Sequence, residues 1–326
     1  MRFALTDEQR GFAEALDALL AAADVPGATR RWADGDPADG LHLWGRLADL
    51  GVTALPVAEE HGGLGGTALD VAVALERLGY HGAPGPWIES VSLAPALLAG
   101  ADPAVLPELA KGTARVTCAA PPWAPHAPDA DTATHCYVVT GRTLARARVE
   151  RPLRSVDPAR RPAALTPTET LGAVGENVFD SAVLGTAAWL VGAGQRLLDD
   201  TVAYVTVRRQ FGSVIGEYQA VKHALADVRV GLDFARPLVR GAANALSAAR
   251  GTGTVRETSR EVSAARVLAS GAAHRAARTA LQLHGAIGYT REFDLSLWLL
   301  RVRALHGAWG TPAFHRARVA AALTGA

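Results

Sequence analysis

The chain has 326 residues, 49% hydrophobic and 20% charged, the balance of a folded globular protein rather than a disordered one. Its 33 Lys+Arg against 32 Asp+Glu give a net charge of +1, without the basic excess of a nucleic-acid binder. No run of 18 apolar residues exists, so no membrane span is expected, and the start MRFALTDEQR lacks the pattern of a signal peptide. Two cysteines, Cys118 and Cys136, are too few for a disulfide framework or a cysteine zinc site. These features predict a cytoplasmic protein with no metal centre.

Residues 1–113 read as helical. Thr6-Asp7-Glu8-Gln9 places a cap before Phe12, Leu16, Leu19 and Leu20, an amphipathic spacing. Leu41, Trp44, Leu47 and Leu50 repeat the pattern until Gly51 stops it. PVAEEHGGLGGT, residues 56–67, is a glycine-rich turn, and helices follow over about 68–78 and 89–99. Residues 114–176 hold most of the prolines and the run Tyr137-Val138-Val139, which predicts short strands with turns in a small β domain.

Residues 177–326 return to long helices. Over 185–208, Leu190, Gly194, Leu197, Thr201 and Val205 share one stripe. Over 218–249, Val221, Leu225, Val228 and Leu232 do the same, with a bend expected at Pro237. A third helix, 256–283, is rich in Ala, Ser and Gly and suits close packing. Segments 294–307 and 312–324 make a fourth and fifth. Four long antiparallel helices predict an up-down bundle with an added terminal helix.

Two segments carry most of the chemistry. In RRQFGSVIGEYQAVKHALADV, residues 208–228, a helix ends at Arg208-Arg209 and a turn follows at Phe211-Gly212. An arginine beside a turn suits a phosphate, because its planar fork donates two parallel hydrogen bonds. It equally suits a carboxylate or a helix C-terminus. In LQLHGAIGYT, residues 281–290, a helix ends at His284-Gly285 and Gly288 follows. Two glycines let a backbone come close to a ligand, and glycine is also the commonest helix terminator.

Together these segments resemble the acyl-CoA dehydrogenase family. Its R-x-Q-F-G … Q-x-x-x-x-x-L-A-D pattern matches Arg208, Gln210, Phe211, Gly212, Gln219, Leu225, Ala226 and Asp227. Its Q-x-x-G-G-x-G pattern matches Gln282, Gly285 and Gly288, with Ala286 in place of one glycine. Its P-E-E-Y-G-G-L-G pattern matches Pro56, Glu59, Glu60, His61, Gly62, Gly63, Leu64 and Gly65 with one extra residue. The resemblance covers nearly the whole chain and implies a mainly α fold: a helical domain over 1–113, a shortened β domain over 114–176 and a helical bundle over 177–326. It implies FAD as cofactor, bound at a subunit interface, and an acyl-CoA thioester as substrate. In the family a carboxylate takes the α-proton and the β-hydrogen leaves as hydride to the flavin. Arg208, Gln210, Phe211 and Gln219 match positions at the diphosphate and adenosine end of FAD, and Gln282, Gly285 and Ala286 match the loop against its diphosphate.

The sequence departs from the family where the base belongs. Counting from Arg301, the family's Tyr-Glu-Gly-Thr turn falls on Trp309-Gly310-Thr311-Pro312, which puts Gly310 at the glutamate position. Thr311-Pro312 reads instead as an N-cap with proline at the first helical position. The alternative base of some members aligns with Ala182, or with Ser181 one residue away. Asp180 and Glu176 are nearby carboxylates that also read as helix-start acids. His284 and His306 belong to the residue type whose unperturbed titration is near neutrality, and the family gives them no role. The T-E-P-x-x-G-S-D loop of the family corresponds to Thr117-Cys118-Ala119-Ala120-Pro121-Pro122, followed directly by Trp123, so the flavin-ring contacts are missing. Restoring a carboxylate by Gly310→Glu is conceivable on sequence alone.

These departures suit one subunit of an α2β2 heterotetramer, an arrangement some branches of the family use, some of them on sterol side-chain CoA esters. This chain would supply the FAD adenosine-end grip to a second, catalytic dehydrogenase-like subunit, and electrons would pass to an electron-transfer flavoprotein. The alternatives are a homo-oligomeric dehydrogenase with a relocated base such as Asp180, and a non-catalytic acyl-thioester-binding scaffold.

Overall fold

The computed structural model describes residues 4–175, 178–252 and 255–324; Glu176 lies outside the described residues. Helix α1 (Asp7–Ala21) starts on the capping box its sequence predicts: the Gln9 backbone N–H donates to Thr6 Oγ1 at 3.2 Å, and the Thr6 N–H donates to Gln9 Oε1 at 3.1 Å. Helix α2 (Val25–Ala33), which no periodicity in the sequence announces, starts at Asp24, with Pro26 in its first turn where no amide donor is needed. Helices α3 (Ala38–Asp49) and α4 (Ala68–His81) follow, and α4 has its own capping box from Thr67 and Asp70. The segment expected as one helix over 89–99 divides into a π-helical turn at Ile88–Leu93 and a short α5 (Ala94–Leu98). Helix α6 (Leu106–Ala110) closes this part.

Strands β1 (Val116–Ala119), β2 (His135–Thr140), β3 (Thr143–Pro152) and β4 (Ala163–Ala173) form one sheet in that order. Two details differ from the expected short strands. β3 and β4 are 10 and 11 residues long and pair antiparallel with register shifts, and β1 pairs with β2 in parallel. Pro167 lies within β4 because β4 is an edge strand, so its missing donor interrupts no second ladder. Alternation divides the sheet's faces: Cys118, Tyr137 and Val139 join the main core, while Ala119, Val138 and Ala163 form a smaller cluster behind it.

Helices α7 (Val178–Val207), α8 (Gln219–Thr252) and α9 (Val255–His284) are the long members of the bundle. The expected fourth and fifth are shorter, α10 (Leu295–Leu305) and α11 (Pro312–Thr324). The predicted α7 stripe of Leu190, Leu197, Thr201 and Val205 is buried. A Cβ on Gly194 would lie 2.8 Å from Leu232 of α8 and 3.3 Å from Ala273 of α9, so a small residue is what lets these helices approach. α8 runs on through Pro237. Between α7 and α8, β5 (Arg209–Gln210) and β6 (Ser213–Val214) make a tight hairpin with Phe211 at its tip. No helix among the described residues is long and apolar enough to cross a membrane.

The three parts are tied by buried polar contacts. The Trp32 indole N–H donates to Asp129 at 2.8 Å, and Asp102 accepts from Tyr137 and twice from Arg146 at 2.8–2.9 Å. The β3–β4 connection reaches the bundle, where Asp157 pairs with Arg301 of α10 and Arg301 also donates to the Ala159 carbonyl at 3.0 Å.

Candidate functional site

The end of α7, the β5–β6 hairpin and the end of α9 meet around a cleft of about 390 Å³. Arg208, Gln210, Gln282, Gly285 and Ala286, five of the seven residues singled out by motif, line it. Phe211 and Gln219 do not. Phe211 stands at the hairpin tip, 91% exposed with φ of 53°, and Gln219 is the exposed first residue of α8.

The Arg208 guanidinium is exposed and pairs with no carboxylate among the described residues. Its backbone, by contrast, is fixed: the N–H donates to Tyr204 at 3.0 Å and the carbonyl accepts from Ile215 at 2.8 Å. A rigid stem with an unpaired planar fork is suited to an anion. Across the cleft Gly285 has φ of 64°, ends α9, and has nothing within 4 Å of the position its Cβ would take. Backbone is therefore open to the cleft where a side chain would otherwise cover it.

Tyr204 and His284 also line the cleft. Tyr204 lies one turn before Arg208, a spacing that could have revealed it in the sequence. The His284 ring stacks on Tyr204 at 4.2 Å. Its Nδ1 lies 2.8 Å from the Ala280 carbonyl, and a carbonyl only accepts, so Nδ1 carries the proton. Nε2 is then an acceptor, buried and without a partner. Burial holds this imidazole below the usual histidine range, partly opposed by the Ala280 hydrogen bond and then by Asp200. Exposed Val207, Phe211, Ile287 and Tyr289 surround this end of the molecule with apolar surface.

An adenosine diphosphate group fits this lining: an unpaired cation, two amides, glycine backbone and an aromatic floor.

The two base positions have a different character. Gly310 is buried with φ of 101°, and its N–H points to the Trp123 carbonyl at 3.4 Å. Trp123, Phe179, Trp309 and Phe314 pack around it, with ring centroids 5.3–6.2 Å apart. Ala182 is fully buried, and beside it the space between α4, the π-helical turn and α7 is only about 10 Å³, enough for a water. Asp180 is buried in the first turn of α7; Arg318 donates to one oxygen at 2.9 Å and Ser259 to the other. Glu89, on the π-helical turn, accepts from Trp309 Nε1 at 3.2 Å and faces Arg160 at 3.5 Å.

His306 lies at the end of α10, with Nδ1 buried and unpartnered. Burial, then the charges of His274, Arg266, Arg303 and Arg316, hold it below the usual histidine range.

Comparison with known proteins agrees with the motifs. The family described as "Acyl-CoA dehydrogenase, N-terminal domain" matches residues 6–113, and "Acyl-CoA dehydrogenase, C-terminal domain" matches residues 173–324. The chain is 33% identical over 308 residues to acyl-CoA dehydrogenase IpdE2 of Mycobacterium tuberculosis, covering 93% of this chain and 92% of that protein. It is 32% identical to IpdE2 of Mycolicibacterium smegmatis, covering 94% and 96%. Its fold superposes on a chain of the ChsE4-ChsE5 complex from Mycobacterium tuberculosis with a TM-score of 0.84 at 21% identity, covering 100% of both. The chain belongs to the acyl-CoA dehydrogenase family of FAD-dependent oxidoreductases.

Proposed function

We propose that this chain is the cofactor-gripping subunit of a heteromeric acyl-CoA dehydrogenase. In this reading it holds the diphosphate and adenosine end of FAD, and a second dehydrogenase-like subunit carries the flavin ring site and the base. The observation that carries it is the contrast between the two ends of the chain's chemistry. Arg208, Gln210, Gln282 and Gly285 converge on an open cleft, while the two base positions, Gly310 and Ala182, carry no carboxylate themselves and sit in packed interior.

Arg208 would donate two parallel hydrogen bonds to the diphosphate, with no internal carboxylate competing for it. Gly285 would admit the diphosphate against backbone, and Gln210 and Gln282 would meet ribose or adenine edges. Phe211, as an exposed hairpin tip beside this cleft, would pack against the partner, as would Tyr289. Bound flavin supplies hydride acceptance from the β-carbon of the acyl thioester. The α-proton would be taken by the partner's carboxylate, since Asp180 is already engaged by Arg318 and Ser259. The space lined by Ser181 and Leu184, the neighbours of Ala182 on α7, is water-sized at about 10 Å³. The parts at 1–113, 114–176 and 177–326 would then serve as support, spacer and grip.

A relative named for steroid chemistry in its solved structure, the Tcur3481-Tcur3483 steroid enzyme, shares the fold, as does the ChsE4-ChsE5 complex, a two-protein assembly. These names support a two-protein assembly and a steroid-derived substrate; in this reading the assembly is α2β2, acts on a sterol-derived acyl-CoA in the cytoplasm and passes electrons to an electron-transfer flavoprotein. The test is flavin content after purification. The chain alone is expected to be colourless, and yellow when co-expressed with a homologue encoded beside it. A yellow, active homo-oligomer would overturn the reading.

A further inference from the structure

Three buried carboxylates gather where the parts of the chain join: Glu89 on the π-helical turn, Asp129 in the loop after β1 and Asp157 in the β3–β4 connection, none more than 3% exposed. Two guanidiniums face them, Arg160 towards Glu89 and Arg301 of α10 towards Asp157. Glu89, Asp129, Arg160 and Arg301 line one space of about 10 Å³, the size of a single water. The cluster thus holds one acid more than it holds arginines.

The hydrogen bonds identify the acid left over. Arg301 is spent on Asp157 and on the Ala159 carbonyl at 3.0 Å. Arg160 faces Glu89 Oε1 at 3.5 Å, and Trp309 Nε1 donates to that same oxygen at 3.2 Å. The Arg161 guanidinium is taken by Asp131 and by the Trp32 carbonyl. Asp129 therefore bonds to no guanidinium among the described residues. Its Oδ1 accepts from Trp32 Nε1 at 2.8 Å and from the Arg161 backbone N–H at 3.3 Å. Asp129 Oδ2 and Glu89 Oε2 receive no protein donor among the described residues, and both carboxyls line the water-sized space. A fully buried carboxyl with no cation bonded to it is more stable neutral than charged. Burial raises Asp129 to about 6, against the Trp32 bond, the Arg301 charge, the Arg161 N–H and the Arg160 charge.

We propose that Asp129 and Glu89 share one proton across this space, a water relaying the hydrogen bond from Asp129 Oδ2–H to Glu89 Oε2, and that this proton clamps the loop after β1 onto α2 and the π-helical turn. Ionisation breaks the Oδ2–H bond, releases the proton to solvent and leaves two carboxylates facing each other across one water. The clamp is closed at acid pH and loosens as pH rises through the titration. The two guanidiniums that line the space repel a metal ion there. The device stands whether or not the Arg208 cleft holds FAD.

The test is infrared spectroscopy of the full chain across an acid-to-alkaline titration, following the protonated-carboxyl band, with hydrogen-exchange protection of the loop after β1 measured on the same samples. The wild type is expected to show a carboxyl band that outlasts the surface acids and disappears near pH 6. Asp129→Asn should remove it. Glu89→Gln should keep it and lower its midpoint by about one pH unit, because the like charge that holds the proton is gone. Protection of the loop should be higher below the midpoint than above it, and pH-independent in Asp129→Asn. Should Asp129→Asn fail to fold, the wild-type band and the Glu89→Gln midpoint decide alone. No such band, or a band that survives Asp129→Asn, would overturn the proposal. A midpoint unmoved in Glu89→Gln would overturn the sharing, and equal loop protection on both sides of the midpoint would overturn the clamp.

Discussion

His315 occupies the space that a side chain at Gly310 would need. A Cβ there would lie 2.7 Å from His315 Nε2 and 2.7 Å from Phe314. The imidazole is fully buried, Nε2 donates to the Trp309 carbonyl at 3.0 Å, and Nδ1 lies 3.2 Å from Ser263 Oγ. Arg266 adds three bonds to the carbonyls of Leu305, His306 and Ala308 at 2.7–3.3 Å. The loop that holds the base elsewhere in the family is latched here from beneath.

Gly310→Glu therefore does not restore a base. The positive φ costs about 1–3 kcal/mol for a non-glycine residue, and overpacking adds a similar amount. Denaturant unfolding should show a loss of about 2–6 kcal/mol. A loss under 1 kcal/mol would mean that the latch yields easily.

The same latch gives a pH signature. Burial first, and then the Arg266 charge, push the His315 pKa down to about 4. A depressed value means that the unfolded chain binds the proton first. The stability held by neutral His315 is complete above pH ~6.5 and is lost as pH falls toward about 4, about 3 kcal/mol in all. Asp129 has the opposite sign. Burial raises it to about 6, so its contribution is complete below pH ~3.8 and is lost as pH rises through 6. The two nearly cancel between pH 4 and 6. Unfolding measured at pH 4 and pH 7 should show the wild type losing about 3 kcal/mol relative to His315→Gln on acidification. It should gain a similar amount relative to Asp129→Asn. Parallel pH curves for all three proteins would refute the assignment.

Asp157 and Arg301 form a buried pair joining the β3–β4 connection to α10, with Arg301 over Trp189 at 5.4 Å. Removing one charge strands the other. Asp157→Asn, which keeps an oxygen for the Ala159 N–H, should cost about 3–5 kcal/mol. Asp157→Asn with Arg301→Met should cost less than the sum of the single changes, and strict additivity in urea melts would mean no coupling.

Arg208→Ala removes a charge-assisted contact on the exposed end of α7. In the assembled complex, FAD affinity should fall by about 1.5–3 kcal/mol, while the melting of the isolated chain stays unchanged. Unchanged flavin affinity would make Arg208 a surface residue only.

Much of this was legible in the sequence because it rests on local rules. Thr6 and Gln9 announce α1, and Gly51 ends the helical pattern before it. The two glycine-bearing motifs bring five residues to one cleft although Arg208 and Gln282 are 74 positions apart. What stayed hidden depends on tertiary context. Pro26 and Gly27 mask α2, because a proline in a first turn looks like a breaker until the N-cap is known. Pro152, Pro162 and Pro167 hide two long strands, since only the edge position of β4 makes Pro167 harmless. His284 showed as a histidine at a helix end, but its partnerless Nε2 exists only once Tyr204 and Ala280 surround the ring. The obstruction at Gly310 required His315 to fold back five residues.

The division of labour between subunits is tested most directly by anaerobic titration with acyl-CoA, following flavin bleaching in the FAD-supplemented chain and in the co-expressed complex. The account predicts bleaching in the complex, retained in its Asp180→Asn variant, and none in the isolated chain, because Gly310 and Ala182 offer no base. Bleaching in the isolated chain, abolished by Asp180→Asn, would contradict it.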